Sequence, residues 1–323
     1  MSTRPKDVLT RRSKGMEKES LAEEWFLTGC RYDSRQPDSD EAVDAYRKCI
    51  RYDKKFVDAY VNLGFIYLRR EDYEEALKCF KKMVELEPHN PEAYNNLGYV
   101  YERMDRTGSA KLMYRRALEL APENTEAMIN IAQVFELEGN YHGAVDHYRQ
   151  AIDTDPDAAA PHFCLAVLYD RYDMFDEAIE EYWNVLEIDD CYVKAIFNLG
   201  NIYIQLGDYD NAIRSYERVL AFDPEYAEAW NNIGSVYEEI VDYEQALAAF
   251  RQSLALNPYQ EEVHLNLARV EYLQYRSDPT SFAKEEIVQR LEFVLSLNPH
   301  NTAVYSILDN LDEGYVAYQG AKI

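Results

Sequence analysis

Glycine and proline are scarce in this chain, with 12 and 11 among its 323 residues. Their scarcity favours long regular elements over a loop-rich β architecture. Long apolar runs are also missing, since no stretch approaches the roughly 18 consecutive apolar residues of a membrane-spanning helix. Residues 1–20 lack the apolar segment of a secretory signal. These absences lead us to expect a cytoplasmic protein that does not insert into membranes.

Paired cysteines are absent as well. The five cysteines are scattered, odd in number and never spaced as CxxC. This pattern fits free thiols in a reducing compartment better than a disulfide framework. The five are Cys30, Cys49, Cys79, Cys164 and Cys191.

Positive charge is in deficit, because 34 lysines and arginines face 59 acidic residues and leave a formal net charge of −25. Nucleic-acid binding requires cations that displace the counterions of the phosphates. The balance therefore argues against DNA or RNA as a ligand and favours basic partners. At 47% hydrophobic residues the chain can nevertheless bury a sizeable core.

What the sequence does contain is a period of 34 residues, counted here with Val57 as position 1. Position 8 is always small, position 20 is alanine, positions 11 and 24 are aromatic, and position 32 is proline in most repeats. The small column reads Gly64, Gly98, Ala132, Ala166, Gly200, Gly234 and Ala268, and the ring column at position 24 reads Phe80, Tyr114, Tyr148, Tyr182, Tyr216 and Phe250.

These columns describe a hairpin of two amphipathic helices. Positions 4, 7, 8 and 11 form the buried stripe of a first helix, and positions 20, 24 and 27 that of a second. Small residues at 8 and 20 allow close approach of the two helices, and we expect the rings at 11 and 24 to fill the gaps beside the crossing. Proline at 32 ends the second helix. Repeated core packing thus accounts for much of the 28 tyrosines.

Over residues 56–301 the pattern closely resembles the tetratricopeptide repeat, as in the stretches that begin at Tyr94 and Trp230. The resemblance implies an all-α fold, a right-handed α-solenoid whose first helices line the concave face of a superhelix. We expect about eight hairpins and a C-terminal capping helix. A flexible basic tail covers 1–20, the repeats span 21–56, 57–90, 91–124, 125–158, 159–192, 193–226, 227–260 and 261–301, and the cap and its tail occupy 302–323.

Asparagine at position 6 is the candidate binding feature. Asparagine is a mediocre helix former, so its recurrence at this position needs a reason. Its amide could pair with the backbone of an extended peptide, with one asparagine for about every third residue of the peptide. The column is similar to the asparagine ladder of the O-GlcNAc transferase superhelix, which implies sequence-tolerant peptide binding. Hydrogen bonds between neighbouring turns are the alternative explanation. The column consists of Asn62, Asn96, Asn130, Asn198, Asn232 and Asn266, with Cys164 in the fifth repeat.

Acidic residues at position 12 predict the character of the ligand. The rim consists of Glu102, Glu136, Asp170 and Glu238. Position 5 is mixed, and its apolar members together with this rim favour a basic or amphipathic protein segment. Positions 5 and 9 carry no lysine in repeats two to eight, and arginines such as Arg69 and Arg103 stand among acids. This argues against the chaperone carboxylate clamp of some family members.

No catalytic, cofactor or metal-binding motif is found in the sequence. We therefore predict a non-catalytic scaffold that binds a protein segment in its groove. Two alternatives are a structural or assembly subunit that interacts through its ends or convex face, and a targeting subunit of an enzyme encoded elsewhere. The fifth repeat, with Cys164 for asparagine and Asp190 for proline, suggests a junction that bends or divides the groove.

Overall fold

The computed structural model describes the backbone of residues 5–311 and the side chains of residues 18–311. Within this part of the chain, 17 helices follow one another and no strand occurs. The bounds are α1 (Pro5–Arg35), α2 (Asp40–Tyr52), α3 (Val57–Arg69), α4 (Tyr73–Leu86), α5 (Pro91–Arg103), α6 (Thr107–Leu120), α7 (Thr125–Leu137), α8 (Tyr141–Thr154), α9 (Ala159–Arg171), α10 (Phe175–Ile188), α11 (Val193–Gln205), α12 (Tyr209–Phe222), α13 (Ala227–Glu239), α14 (Tyr243–Leu256), α15 (Glu261–Ser277), α16 (Lys284–Leu297) and α17 (Thr302–Leu311). The predicted all-α helical-repeat solenoid class is confirmed.

A left-handed residue at position 15 ends each first helix from α3 to α13. In the second repeat this residue is Glu71, with a φ of 60°. The amide of the next residue, Asp72, donates to the carbonyl of Tyr67 at 2.8 Å, and the Asp72 side chain then caps α4 by accepting from the amide of Glu75. One short turn thus satisfies orphan backbone groups at the end of one helix and the start of the next.

Proline is not required to end the second helix. Glu87, before Pro88, leaves the helical region as expected. However, α10 has the same 14 residues although Asp190 replaces the proline. There the Asp189 carboxylate accepts from the amide of Cys191 at 3.0 Å and closes a local turn. The substitution at Asp190 therefore leaves the hairpin length unchanged.

The small residue at position 8 has a different neighbour from the one we expected. A Cβ built on Gly98 would lie 2.6 Å from a ring atom of Tyr114, and one on Gly64 2.7 Å from the ring of Phe80. The ring at position 24 therefore lies directly on the first helix instead of filling a gap beside the crossing. A large planar side chain can reach this depth only where the facing residue has almost no side chain.

Both ends of the repeat array differ in part from the expected layout. Residues 5–20, predicted to belong to a flexible tail, are helical as part of α1, where strong helix formers such as lysine, glutamate and leucine predominate. Helix α15 is one turn longer than the first helices α3 to α13. Helix α17 buries Val304 and Leu308 against the core of the last hairpin. The remainder of the predicted cap and its tail, residues 312–323, lies outside the described residues.

The contacts divide the chain into two compact units, residues 1–165 and 166–323, with the boundary inside α9. Unit 1 has its main core in α1 to α5, where Tyr46 and Phe80 are fully buried. Unit 2 buries Phe250 and Leu267 between α14 and α15. Among the described residues, no helix has the length and apolar character needed to cross a bilayer.

Candidate binding groove on the first helices

Unit 1 contains a groove of about 580 Å³ across the first helices α3, α5 and α7. Two half-exposed aromatic side chains, Phe65 and Tyr99, lie on it at position 9 of successive repeats. Asn96 and Asn130 of the predicted asparagine column line it as well. The remaining lining residues are Leu68, Arg69, Glu71, Asn95, Arg103 and Glu126.

The amides of the asparagine column form hydrogen bonds between adjacent repeats. The Asn62 and Asn198 amides donate to the hydroxyls of Tyr46 and Tyr182 in the preceding repeats, at 3.1 and 2.9 Å. Asn232 donates to Tyr216 at 3.3 Å and also to Asn201 at 3.0 Å. The column therefore does connect neighbouring repeats, as the alternative explanation required. Among the described residues the carbonyl oxygens of Asn62 and Asn198 accept no hydrogen bond, whereas that of Asn232 accepts from the Asn231 amide at 3.5 Å.

Two members of the column donate instead to a second asparagine at position 5 of the preceding repeat. Asn130 donates to Asn95 at 3.0 Å and Asn266 to Asn231 at 3.3 Å. Asn95 is only 3% exposed, so its carbonyl needs this partner. Asn96 differs from the rest of the column, since no hydrogen bond of its side chain is found within residues 18–311 although it lines the groove.

The acidic rim at position 12 is partly occupied by internal partners. The hydroxyls of Tyr114 and Tyr148 donate to Glu102, at 2.8 Å, and to Glu136. Burial raises the pKa of the Glu102 carboxyl, and the hydrogen bond from Tyr114 opposes that shift. The tyrosine at position 24 thus links the rim of its own repeat to the packing beneath it.

The two other rim residues lie in unit 2. Glu238 forms a bidentate ion pair with Arg269 of the next repeat, at 2.5 and 2.7 Å. Burial raises the pKa of Asp170, and the nearby Asp173 raises it further. Glu238 is therefore already paired by an arginine of the chain itself.

The arginines of the groove are not equivalent. Arg69 is held by Asp33 at 3.1 Å and Asp38 at 2.5 Å, which neutralise it and fasten the long turn of the first repeat. Arg103 is also exposed, and it donates to the hydroxyl of Tyr73 at 3.1 Å. Two acids, Glu71 and Glu126, lie on the same groove, and neither forms an ion pair within residues 18–311.

Sequence reasoning missed two elements of the site. The buried Asn95 and Asn231 at position 5 were counted among mixed residues, yet an asparagine pair at positions 5 and 6, as in Tyr94-Asn95-Asn96, was a usable signal. Asp189, Asp190 and Cys191 also lie within 4.8 Å of one another at an exposed turn. The Cys191 thiol donates to Asp190 at 3.1 Å, and this hydrogen bond raises its pKa.

Stacked helical hairpins with a lined groove define a helical-repeat interaction scaffold. Family profiles described as tetratricopeptide repeat match residues 56–123, 95–159 and 227–260, and a profile described as TPR repeat matches 200–240. Together these matches cover about half of the 323 residues. The chain belongs to the tetratricopeptide-repeat proteins. An architecture of such repeats is typical of non-catalytic scaffolds.

Solved structures share the fold at low sequence identity. The APC/C hetero-tetramer Cut9–Hcn1 matches with a TM-score of 0.56 and 18% identity over 84% of this chain and 52% of that one. PilF of Pseudomonas aeruginosa matches with a TM-score of 0.56 and 19% identity over 68% and 97%. A tetratricopeptide repeat protein of Parabacteroides merdae gives 0.53 and 17% over 79% and 98%. No curated protein sequence matches this chain.

Proposed function

We propose that this protein is a non-catalytic adaptor whose groove over α3, α5 and α7 binds an extended basic or amphipathic segment of a partner protein. The observation that carries the proposal is the Asn96 amide, which lines the same groove as Phe65 and Tyr99 and has no hydrogen-bond partner within residues 18–311. An amide with free donors and acceptor can pair with a peptide backbone. The likeness of the asparagine column to the O-GlcNAc transferase ladder supports the same mode.

The lining residues support the character of the segment. Phe65 and Tyr99 offer apolar contact area to alternate side chains of an extended peptide. Glu71 and Glu126 attract a basic side chain, while Arg69 is already neutralised by Asp33 and Asp38. We propose that Asn130 and the other asparagines of the column extend this track, each through its carbonyl oxygen and remaining N–H group.

The test is calorimetric titration of the full chain with a peptide array that varies lysine, arginine and apolar positions, at low and high salt. Binding should favour basic peptides with bulky apolar residues and weaken as salt rises. Asn96→Ala should weaken the best peptide about fivefold to tenfold, because one hydrogen bond to the ligand is lost.

Asn124→Ala is the matched control, since Asn124 caps α7 through the amide of Ala127 and does not line the groove. It should lower stability by about 1 kcal/mol and leave peptide affinity unchanged. Equal affinities for wild type and Asn96→Ala, or a preference for acidic peptides, would contradict the proposal.

A further inference from the structure

Unit 2 contains a cavity of about 500 Å³ between α12, α13 and α14. Trp230, Tyr237, Ile233 and Leu220 supply its apolar wall. Ala248 and Ala249 leave room for it, because other repeats place larger residues at these positions, for example Lys78 with Cys79 and Glu180 with Glu181. Glu217, Gln245 and Gln252 complete the lining.

The same place in unit 1 is filled by basic side chains of the protein itself. The ring at position 11 is covered by a cation from the preceding repeat: Arg47 lies 5.9 Å from the ring centre of Tyr67, and Lys81 lies 5.9 Å from that of Tyr101. Arg47 also donates to the Tyr67 hydroxyl at 2.7 Å. Both cations come from position 25.

The ring at position 4 is covered in a similar way by position 26 of its own repeat. Lys48 lies 4.2 Å from the ring centre of Trp25, and Arg116 lies 5.8 Å from that of Tyr94. Such contacts are attractive because the face of an aromatic ring is electron-rich. In unit 1 the protein thus supplies a cation to both kinds of ring.

In the seventh repeat neither cation is present. The residue at position 25 before Tyr237 is Glu217, and position 26 beside Trp230 is Gln252. At position 25 an acidic residue, Glu217, therefore takes the place of the basic residue found in unit 1. Its charge reaches the Tyr237 side chain, because burial and then Glu217 raise the pKa of the Tyr237 hydroxyl. No ion pair of Glu217 is found among the described residues, although Arg214 precedes it by one turn on α12.

We infer that this cavity receives a lysine or arginine side chain from a partner protein. The head of that side chain takes the place of the missing cations, on the faces of Trp230 and Tyr237 and beside the Glu217 carboxylate. Its aliphatic stem packs against Leu220 and Ala248, as long basic side chains do on apolar surfaces. The charge of Glu217 makes the site selective for a cation over a neutral side chain of the same shape.

The chain contains three tryptophans, so the indole N–H signals in a nitrogen–proton NMR spectrum of the full chain provide the measurement. The probes are the capped tripeptides Gly-Arg-Gly and Gly-citrulline-Gly, in which citrulline is the neutral counterpart of arginine. The arginine peptide should shift the Trp230 signal with a dissociation constant on the order of millimolar. Trp25, covered by Lys48, and the exposed Trp183 serve as internal references that should not shift.

Two variants provide the decisive comparison. Glu217→Arg places at position 25 the same kind of cation that Arg47 supplies to Tyr67 in the second repeat. The new arginine should fill the cavity and abolish the Trp230 shift. Glu217→Gln should weaken the arginine peptide about tenfold or more. Glu217 is exposed on a helix, so both variants should fold, as circular dichroism will show. An unmoved Trp230 signal, an equal response to citrulline, or full binding by Glu217→Arg would overturn the inference.

Discussion

Position 15 is where individual residues of this repeat carry the most backbone strain. Gly139 and Gly207 occupy it with φ values of 71° and 73°, but Val241 adopts 65° at the same position. A left-handed conformation costs an L-residue about 1–2 kcal/mol, and branching at Cβ makes valine a poor choice. The Val241 side chain recovers little by packing, because it is 64% exposed.

Val241→Gly should therefore stabilise the seventh repeat by about 1 kcal/mol. This is the relief of backbone strain minus the larger entropy that glycine loses when the chain folds. Gly207→Val is the reverse substitution at the equivalent turn. It should destabilise the sixth repeat by a similar amount through backbone strain alone, because a Cβ there has no neighbour within 4 Å. Amide hydrogen exchange in α12, α13 and α14 measures both effects. A loss of protection in Val241→Gly would refute the strain argument.

At the residue scale, prediction from the sequence succeeded for residue types that have a single structural role in the repeat. The columns of small and aromatic residues identified the core, and Tyr114 and Tyr216 are fully buried as expected. Asparagine has several uses, because its amide can join repeats, pair with a buried carbonyl or meet a ligand. Only the three-dimensional neighbours separate Asn198, which is bonded to Tyr182, from Asn96 in the groove. The binding role of the column therefore stays a prediction.

At the scale of the element, the eighth hairpin contains a buried ion pair between its two helices, α15 and α16. Glu271 on the lengthened α15 is only 3% exposed and accepts from Arg290 of α16 at 3.0 and 3.2 Å. Arg251 of α14 approaches the same carboxylate at 3.9 Å but is 56% exposed. Glu271 occupies position 11 of its repeat, where the earlier repeats carry an aromatic ring, so a buried charge lies between two hairpins and its close partner comes from α16.

Arg290→Ala should destabilise the eighth hairpin by about 3 kcal/mol, because it leaves a buried carboxylate with a distant partner. Arg251→Ala is the matched control and should cost less than about 1 kcal/mol, since its contact is long and solvated. Hydrogen exchange of α15 and α16, or urea unfolding followed by circular dichroism, compares the two. Equal losses would contradict the assignment of Arg290 as the partner of Glu271.

Element boundaries were predictable to the extent that they depend on local backbone chemistry. The first helices begin at Val57, Pro91 and Thr125, at the interval set by the period. The end of the second helix at Leu86 followed from Pro88, whereas the equivalent end at Ile188 coincides with the Asp189 turn. The hypothesis that the fifth repeat bends or divides the groove stays a prediction, and the boundary between the two units lies within that repeat.

At the scale of the whole molecule, each repeat packs chiefly on its neighbours, so stability should be local. An array of this kind needs its last apolar face covered. Helix α17 provides that cover through the fully buried Val304 and Leu308, which pack with Ile287 and Leu291 of α16. Periodicity predicted the helix, whereas its contribution to the last core follows from the contacts.

Leu308→Ala should remove about 3 kcal/mol from the C-terminal end of unit 2, because it opens a cavity in a fully buried cluster. Asp309→Ala, one residue further along α17 and exposed, should change stability by less than about 0.5 kcal/mol. Amide exchange should accelerate in α15 to α17 of Leu308→Ala and stay unchanged in α1 to α4, because stability in a repeat array spreads only through neighbouring contacts. An equal acceleration in unit 1 would show instead that the whole chain unfolds as one cooperative body.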